Sequence, residues 1–360
     1  MLTKSLSIRG ISSDRRLFGG MGMDASVVNV DQIVEALMRP ETYPERPVRI
    51  EAIETHMSWV FLTDLYAFKL KKPVRYEFLD FSTIDARRHD CEEELRLNRR
   101  LAPPVYLGVV PLRRHPDGSL HVGGPGELVE WLVKMRRLPA DRTLQKAIQS
   151  GNWTADDIRR VASLLSKFYK DARPLDLGFA EYRERFKKDV LANLAELGKP
   201  EHRLHADQVQ RVHEAQLDFI ESRSDLLYAR IRDHRIVEGH GDLRPEHIYL
   251  GDDPLITDCL EFSLQFRTLD PVDDLAFLAM ECERLGAPSI EPLLFDTYRE
   301  ITGDRPPKAL IQFYKSVRAG LRAKLALWHL REPIVRDVKK WRDRAALYLG
   351  LADDSAGELD

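Results

Sequence analysis

The stretch from Val237 to Leu250 constrains this chain more than any other. An apolar lead-in at Val237 runs into His240-Gly241-Asp242, Pro245 follows, and Ile248-Tyr249-Leu250 reads as a short strand. Gly251-Asp252-Asp253-Pro254 supplies a tight turn, after which Leu255-Ile256-Thr257 leads into Asp258-Cys259-Leu260-Glu261-Phe262. Two short apolar runs joined by such a turn predict a hairpin. Over 237–262 that hairpin brings Asp242, Asp258 and Glu261 among its carboxylates into a region whose flanks are otherwise helical in pattern.

At 360 residues the chain exceeds one comfortable core, so two lobes are expected. A net charge of -3 is too small to indicate nucleic acid or an anionic membrane as partner. Arginines cluster at Arg87, Arg88, Arg96, Arg99 and Arg100, a pattern open to either a solvated helix face or a patch for an acidic ligand. Three scattered cysteines without a CxxC fit neither a disulfide framework nor a zinc knuckle. No apolar run reaches the roughly 18 residues of a membrane span, and no apolar signal segment stands near the start. The cytosol (cytoplasmic localisation) is the default, and the sequence leaves the oligomeric state open.

Taken in order, residues 1–25 lack periodicity and read as a disordered tail, with Met21 or Met23 as possible starts. An N-capped helix spans 31–38. Residues 49–75 are β-rich: Trp59-Val60-Phe61-Leu62 and Tyr66-Ala67-Phe68-Lys69-Leu70-Lys71 form a hairpin, with Lys69 and Lys71 on one face. Asp85–Leu101 reads as a helix in which Glu94, Leu97 and Leu101 share a stripe. A carboxylate on that stripe needs a cation, so a Lys69–Glu94 ion pair is predicted, with Glu93 as the competitor if the helix phase slips by one residue. Further strands cover 106–112, 119–122 and 128–135, and Arg136-Arg137-Leu138-Pro139 reads as a hinge. The expected organisation is an N-lobe over 26–138, a helical C-lobe over 139–351 and an acidic tail over 352–360. Helices are predicted at 143–150, 158–169, 179–197, 206–227, 272–285, 291–301, 310–331 and 335–351. The class is therefore α+β, with a small β-rich lobe preceding a larger helical one.

These residues carry a resemblance. His240-Gly241-Asp242-Leu243 with Pro245, and Asp270-Pro271-x-x-Asp274-Leu275, resemble the aminoglycoside phosphotransferase/choline kinase superfamily. Within it the chain is similar to a bacterial branch of uncharacterised aminoglycoside phosphotransferase family proteins. The likeness, over about residues 30–335, includes Glu54-Thr55-His56-x-Ser58-Trp59, Leu70-Lys71-Lys72-Pro73, Leu79-Asp80-Phe81-Ser82, the run Glu92 to Leu101, and Lys134-Met135-Arg136-Arg137-Leu138. The resemblance implies a bilobal, protein-kinase-like fold, with ATP held at the 135–138 hinge by Met135 and Arg137 and with Mg²⁺, or Mn²⁺, as cofactor. Some relatives add a P-loop domain; no GxxxxGK[ST] occurs in these 360 residues. A GxGxxG is missing too, so Thr55-His56-x-Ser58 would have to cover the phosphates.

Phosphoryl transfer needs neutralised phosphates, a positioned hydroxyl and a group to take its proton. By analogy with kinase loops, Lys69 would hold phosphate with Glu94 as its partner, Asp242 would be the base and His240 would support the loop. The kinase loop places a metal-binding asparagine five positions after the aspartate; here His247 stands there, a poor ligand for a hard ion. For the metal-ligand role of the D-F-G aspartate, Asp258 has the better residue type, whereas Glu261 precedes Phe262 and has the more typical downstream spacing; Glu261 is preferred. The expected activity is a small-molecule kinase acting on an alcohol group, its partners being a nucleotide and a hydroxyl substrate. Two alternatives are a kinase-shaped regulatory protein and a metal-dependent hydrolase in which His240, Asp242, His247 and Asp258 bind a transition metal. Tyr169, Tyr182, Tyr298, Tyr314 and Trp328 are candidates for the acceptor pocket, though each also reads as ordinary core.

Overall fold

The structure is a computed structural model that describes residues 29–76, 79–331 and 337–359, so the expected tail over 1–25 lies outside the described residues. The chain divides into two compact units. The first takes the residues up to Pro139 together with Glu261–Ser263; the second takes Ala140–Leu260 and Leu264–Asp360.

The first unit opens with α1 (Val30–Leu37), whose N-terminus is closed by a reciprocal box between Asn29 and Gln32. Six strands form an antiparallel sheet: β1 (Glu51–Glu54), β2 (Ser58–Leu62), β3 (Tyr66–Lys71), then, after the small β4–β5 pair (Arg75–Tyr76, Leu79–Asp80) and α2 (Ile84–Asn98), β6 (Tyr106–Arg114), β7 (Leu120–Val122) and β8 (Glu127–Arg136). The spatial order is β1-β2-β3-β8-β6-β7. Phe61, Phe68, Leu70, Leu112 and Leu132 build the core on one face with Ile33, Leu37 and Tyr43. Because side chains alternate along a strand, Phe68 and Leu70 face that core and leave Lys69 and Lys71 for the opposite face, against α2. A buried Arg87–Glu130 pair, Nη2 to Oε2 at 2.5 Å, fastens α2 to β8.

In the second unit α3 (Leu144–Ser150), α4 (Ala155–Asp171), α5 (Phe179–Leu197), α6 (Ala206–Ser222) and α7 (Ser224–Arg232) precede the acidic loop. The helix expected over 206–227 is instead two, because the backbone at Arg223 leaves the helical region (φ −115°, ψ 29°). β9 (Val237–Glu238) pairs with β12 (Thr268–Leu269), while β10 (Ile248–Tyr249) pairs with β11 (Leu255–Ile256) as the predicted hairpin. The extended segment stops at Ile256, since Asp258 takes a left-handed conformation (φ 61°) and turns the chain. After the short α8 (Leu264–Arg267) come α9 (Pro271–Arg284), α10 (Ile290–Thr302), α11 (Lys308–Trp328) and α12 (Val338–Ala356). Asp270 caps α9, its carboxylate accepting the Val272 N–H at 3.0 Å, with Pro271 at the first helical position.

Of the stretch expected as an acidic tail, 352–356 continue α12: Ala352, Ser355 and Ala356 are buried, as is Leu359 beyond it, and Asp353 binds Arg211 at 2.6 Å. Tyr169, Tyr182, Tyr298 and Tyr314 are core residues whose hydroxyls reach buried polar partners, Tyr182 and Tyr314 meeting each other at 2.9 Å. Among the described residues no helix is long and apolar enough to cross a membrane.

Candidate active site

In the first unit two lysines share the carboxylates of α2. Lys69 Nζ donates to Glu94 Oε1 at 2.9 Å and lies 3.8 Å from Glu261. Lys71 is the deeper of the two, with 1% of its side chain exposed against 13% for Lys69. Its ammonium bonds Glu261 and faces Asp90 Oδ2 at 2.7 Å and Glu94 Oε2 at 2.6 Å, the last two without hydrogen-bond alignment. Burial works against the Lys71 charge, but Glu261 and Glu94 outweigh it and hold the amine well above its ordinary pKa. Burial also pushes Asp90 upward, against the pull of Lys71.

The competition between Glu93 and Glu94 resolves by helix phase. Glu93 turns outward to Arg96 at 2.8 Å, while Glu94 is 1% exposed between the lysines. The preference for Glu261 as metal ligand is not supported by its surroundings, because its carboxylate is engaged by Lys71. Ser58 does not present its groups outward either: its N–H donates to Thr55 Oγ1 at 3.0 Å, its hydroxyl lies 2.9 Å from the same oxygen, and the residue is buried. Met135 pairs with Ala67 across β3 and β8, and Arg137 donates to the Thr63 carbonyl at 2.7 Å.

In the second unit the His240–Asp242 loop is pinned from beneath by Asp274. The buried Asp274 carboxylate accepts the N–H of His240 at 2.7 Å, that of Gly241 at 3.0 Å and the Tyr169 hydroxyl at 3.1 Å. The approach is so close that a Cβ at residue 239 would stand 2.7 Å from that carboxylate, and Gly241 takes φ +84°; both positions call for glycine. His240 is fully buried. Its Nε2 donates to the Thr257 carbonyl at 3.1 Å and its Nδ1 accepts the Asp242 N–H at 3.3 Å, which assigns the neutral Nε2–H form. Burial, reinforced by the neighbouring His247, pulls its pKa down to about 4.

Asp242 is 28% exposed at its side chain, and Arg244 Nη2 sits 3.0 Å from its Oδ2. Burial raises the carboxyl, but Arg244, His247 and Arg322 together bring it below its usual value, so it is ionised throughout the neutral range. Arg244 also pairs with Glu246 at 2.8 Å. His247 donates through Nδ1 to the Asp242 carbonyl at 3.0 Å, and its Nε2 accepts from Arg244 at 3.2 Å. Both ring nitrogens are thus engaged, and the imidazole does not fit the metal-ligand role. Asp258 does fit a hard cation: its carboxylate is 49% exposed, 3.4 Å from His247 Nε2, on a left-handed residue. For the hydrolase arrangement His240 would have to give up the backbone groups that hold both its ring nitrogens.

Three functional candidates escaped the sequence. In the sequence Lys71 stands out only as a face-mate of Lys69 and within the Leu70-Lys71-Lys72-Pro73 run, Asp274 only as part of a motif, and Arg244 is not singled out. Its place two residues after the aspartate was the available signal.

No family model matches the chain. Over 290 residues it is 36% identical to an uncharacterised protein of Mycobacterium tuberculosis (strain ATCC 25618 / H37Rv) and to one of Mycobacterium bovis. The match takes in 77% of this chain and 54% of each relative, so the chain spans about half the length of the curated relatives it matches. Among solved structures, it resembles a choline/ethanolamine kinase family protein from Mesorhizobium loti with a TM-score of 0.54 at 15% identity, over 91% of this chain and 98% of that one. A choline kinase from Cryptosporidium parvum Iowa II gives 0.52 at 8% identity, over 92% and 97%. The chain therefore has the protein-kinase-like fold of the superfamily that its motifs resemble, in the α+β class expected from sequence.

Proposed function

We propose that the chain is an ATP-dependent phosphotransferase that moves the γ-phosphate to a hydroxyl of a small molecule, with Asp242 taking the hydroxyl proton. The observation that carries this reading is the Asp242 loop: two backbone amides fixed by Asp274, a neutral buried His240 beneath, and a partly exposed carboxylate held ionised. Little covalent chemistry is asked of a protein in phosphoryl transfer, so positioning and charge placement do most of the work. A carboxylate kept below its usual pKa is a weak base. It suits a late proton transfer, in which it first orients the hydroxyl and then accepts the proton, an effect worth ~10²–10⁴ in rate.

Lys69, oriented by Glu94, is the cation for the α- and β-phosphates, and its greater exposure than Lys71 favours it for that role. Lys71 then acts as the structural centre of the carboxylate cluster. The 135–138 segment, with Met135 and Arg137, is assigned to the adenine. Asp258 would hold Mg²⁺, which supplies neutralisation of the phosphate charge when bound. The kinase names borne by the fold neighbours agree with a hydroxyl acceptor.

The test is ATP consumption by the full chain against a library of hydroxylated metabolites. Acceptor-dependent ADP release supports the proposal. Binding of ATP without turnover on any acceptor would favour a regulatory, non-catalytic reading, for which the engagement of Asp242 by Arg244 and the histidine at 247 are the motivating observations.

A further inference from the structure

The second unit contains a guanidinium whose buried Nε has no hydrogen-bond partner. α11 carries Arg318 and Arg322 one turn apart, and α9 opposes them with Asp273, Phe277 and Glu281, also one turn apart. Arg318 is fully matched: its Nε and Nη2 each donate to an Asp273 oxygen at 2.7 Å, it stacks on Phe277, and its Nη1 approaches the Gly241 carbonyl at 3.5 Å, beside Asp242. Arg322 is not. The oxygens of Glu281 already accept Tyr348 at 2.7 Å and Arg284 at 2.7 Å. Arg322 Nε stands third in line, 3.3 Å from Glu281 Oε1, buried and without a hydrogen bond. Its side chain is only 19% exposed and lies over the Tyr348 ring.

A guanidinium mostly withdrawn from water and poorly partnered is costly, and a second cation near it raises that cost. Burial and the Arg244 charge both work against the Arg322 cation; Tyr348, Glu281 and Asp242 outweigh them, so the charge is retained. Arg244 is itself divided between Asp242 and Glu246. An anion arriving beside Arg322 would complete its pairing, and the charge of Arg244 would add to the attraction.

We infer that the phosphoryl acceptor is a hydroxylated anion, its carboxylate or phosphate bound by Arg322 with Arg244 so that its hydroxyl is presented to Asp242. The inference rests on the phosphotransferase reading above. It separates this chain from acceptors such as choline and ethanolamine, whose cationic nitrogen two guanidinium groups would repel. Planar, two-point recognition of carboxylate or phosphate is what arginine does better than lysine.

The test measures ATP-dependent turnover on five probes: glycerate, glycerol 3-phosphate, glycerol, choline and ethanolamine. Turnover of glycerate or glycerol 3-phosphate at least about tenfold above glycerol is expected, with the better of the two identifying carboxylate or phosphate as the anion. Arg322→Gln should raise KM for the anionic acceptor by about ten- to 100-fold, the scale of a lost charge-assisted hydrogen bond, while KM for ATP is unchanged. Arg322→Lys should recover part of the loss, which a merely unfolded variant would not do. A preference for neutral or cationic probes, or an Arg322→Gln effect on KM for ATP instead, would overturn the inference. If none of the five is phosphorylated, thermal stabilisation of the wild type by the two anions decides. Stabilisation lost in Arg322→Gln keeps the anion site and sinks the transferase reading; no anion-specific stabilisation sinks the site.

Discussion

The Asp274 carboxylate accepts the backbone N–H of His240 at 2.7 Å, and this one contact fixes the height at which the Asp242 loop stands above α9. With the Gly241 N–H on its other oxygen, Asp274 satisfies two amides that the turn would otherwise bury unpaired. Asp274→Ala should therefore lower stability by about 3 kcal/mol, since each orphaned buried donor costs ~1–3 kcal/mol. Urea unfolding monitored by circular dichroism checks this. Activity should fall further than stability accounts for, because the loop loses its support even where the fold remains.

The two lysines of β3 should separate by experiment. Lys71→Met leaves three carboxylates, Asp90, Glu94 and Glu261, around an apolar side chain, and should destabilise by roughly 3–5 kcal/mol. Lys69→Met removes the more exposed cation and leaves Lys71 to hold the cluster, so its loss of stability should be small and its effect should fall on ATP affinity. Paired denaturation and nucleotide-binding measurements on the two variants test the assignment. Equal ATP affinity in Lys69→Met would remove Lys69 from the phosphate site.

Acid should weaken the fold through His240. The unfolded imidazole titrates near 6.5 and the folded one near 4, so between those values the unfolded chain binds the extra proton. The contribution of the neutral ring is complete above about pH 6.5 and is lost as pH falls towards 4, by up to about 3 kcal/mol. Urea midpoints between pH 7 and 4.5 should show a slope that is shallower in His240→Asn. Activity should show no loss near neutrality from Asp242, whose carboxyl remains ionised to below its usual range.

Much of this fold was legible because the hydrophobic period changes along the chain. Period-two runs through residue 136 and helical stripes from 144 onward separate a sheet-rich part from a helical one, and the Lys69–Glu94 pair follows from where those stripes face. Single-residue choices were harder. Glu93 and Glu94 differ by 100° of helix rotation, and only packing of α2 on β8 decides which of them is buried. The preference for Glu261 over Asp258 goes with reading the segment as one strand; the left-handed turn at Asp258 sends the two carboxylates into different surroundings. The arginines of α11 were invisible for another reason. They lie some eighty residues beyond Asp242 on an amphipathic helix, and nothing local marks Arg322 as poorly paired.

The most direct measurement is single-turnover transfer from γ-labelled ATP to an accepted hydroxyl substrate by the wild type and by Asp242→Asn. The account predicts that the variant keeps its fold and its ATP affinity and loses ~10²–10⁴ in the rate of transfer. Transfer at the wild-type rate by Asp242→Asn would contradict it.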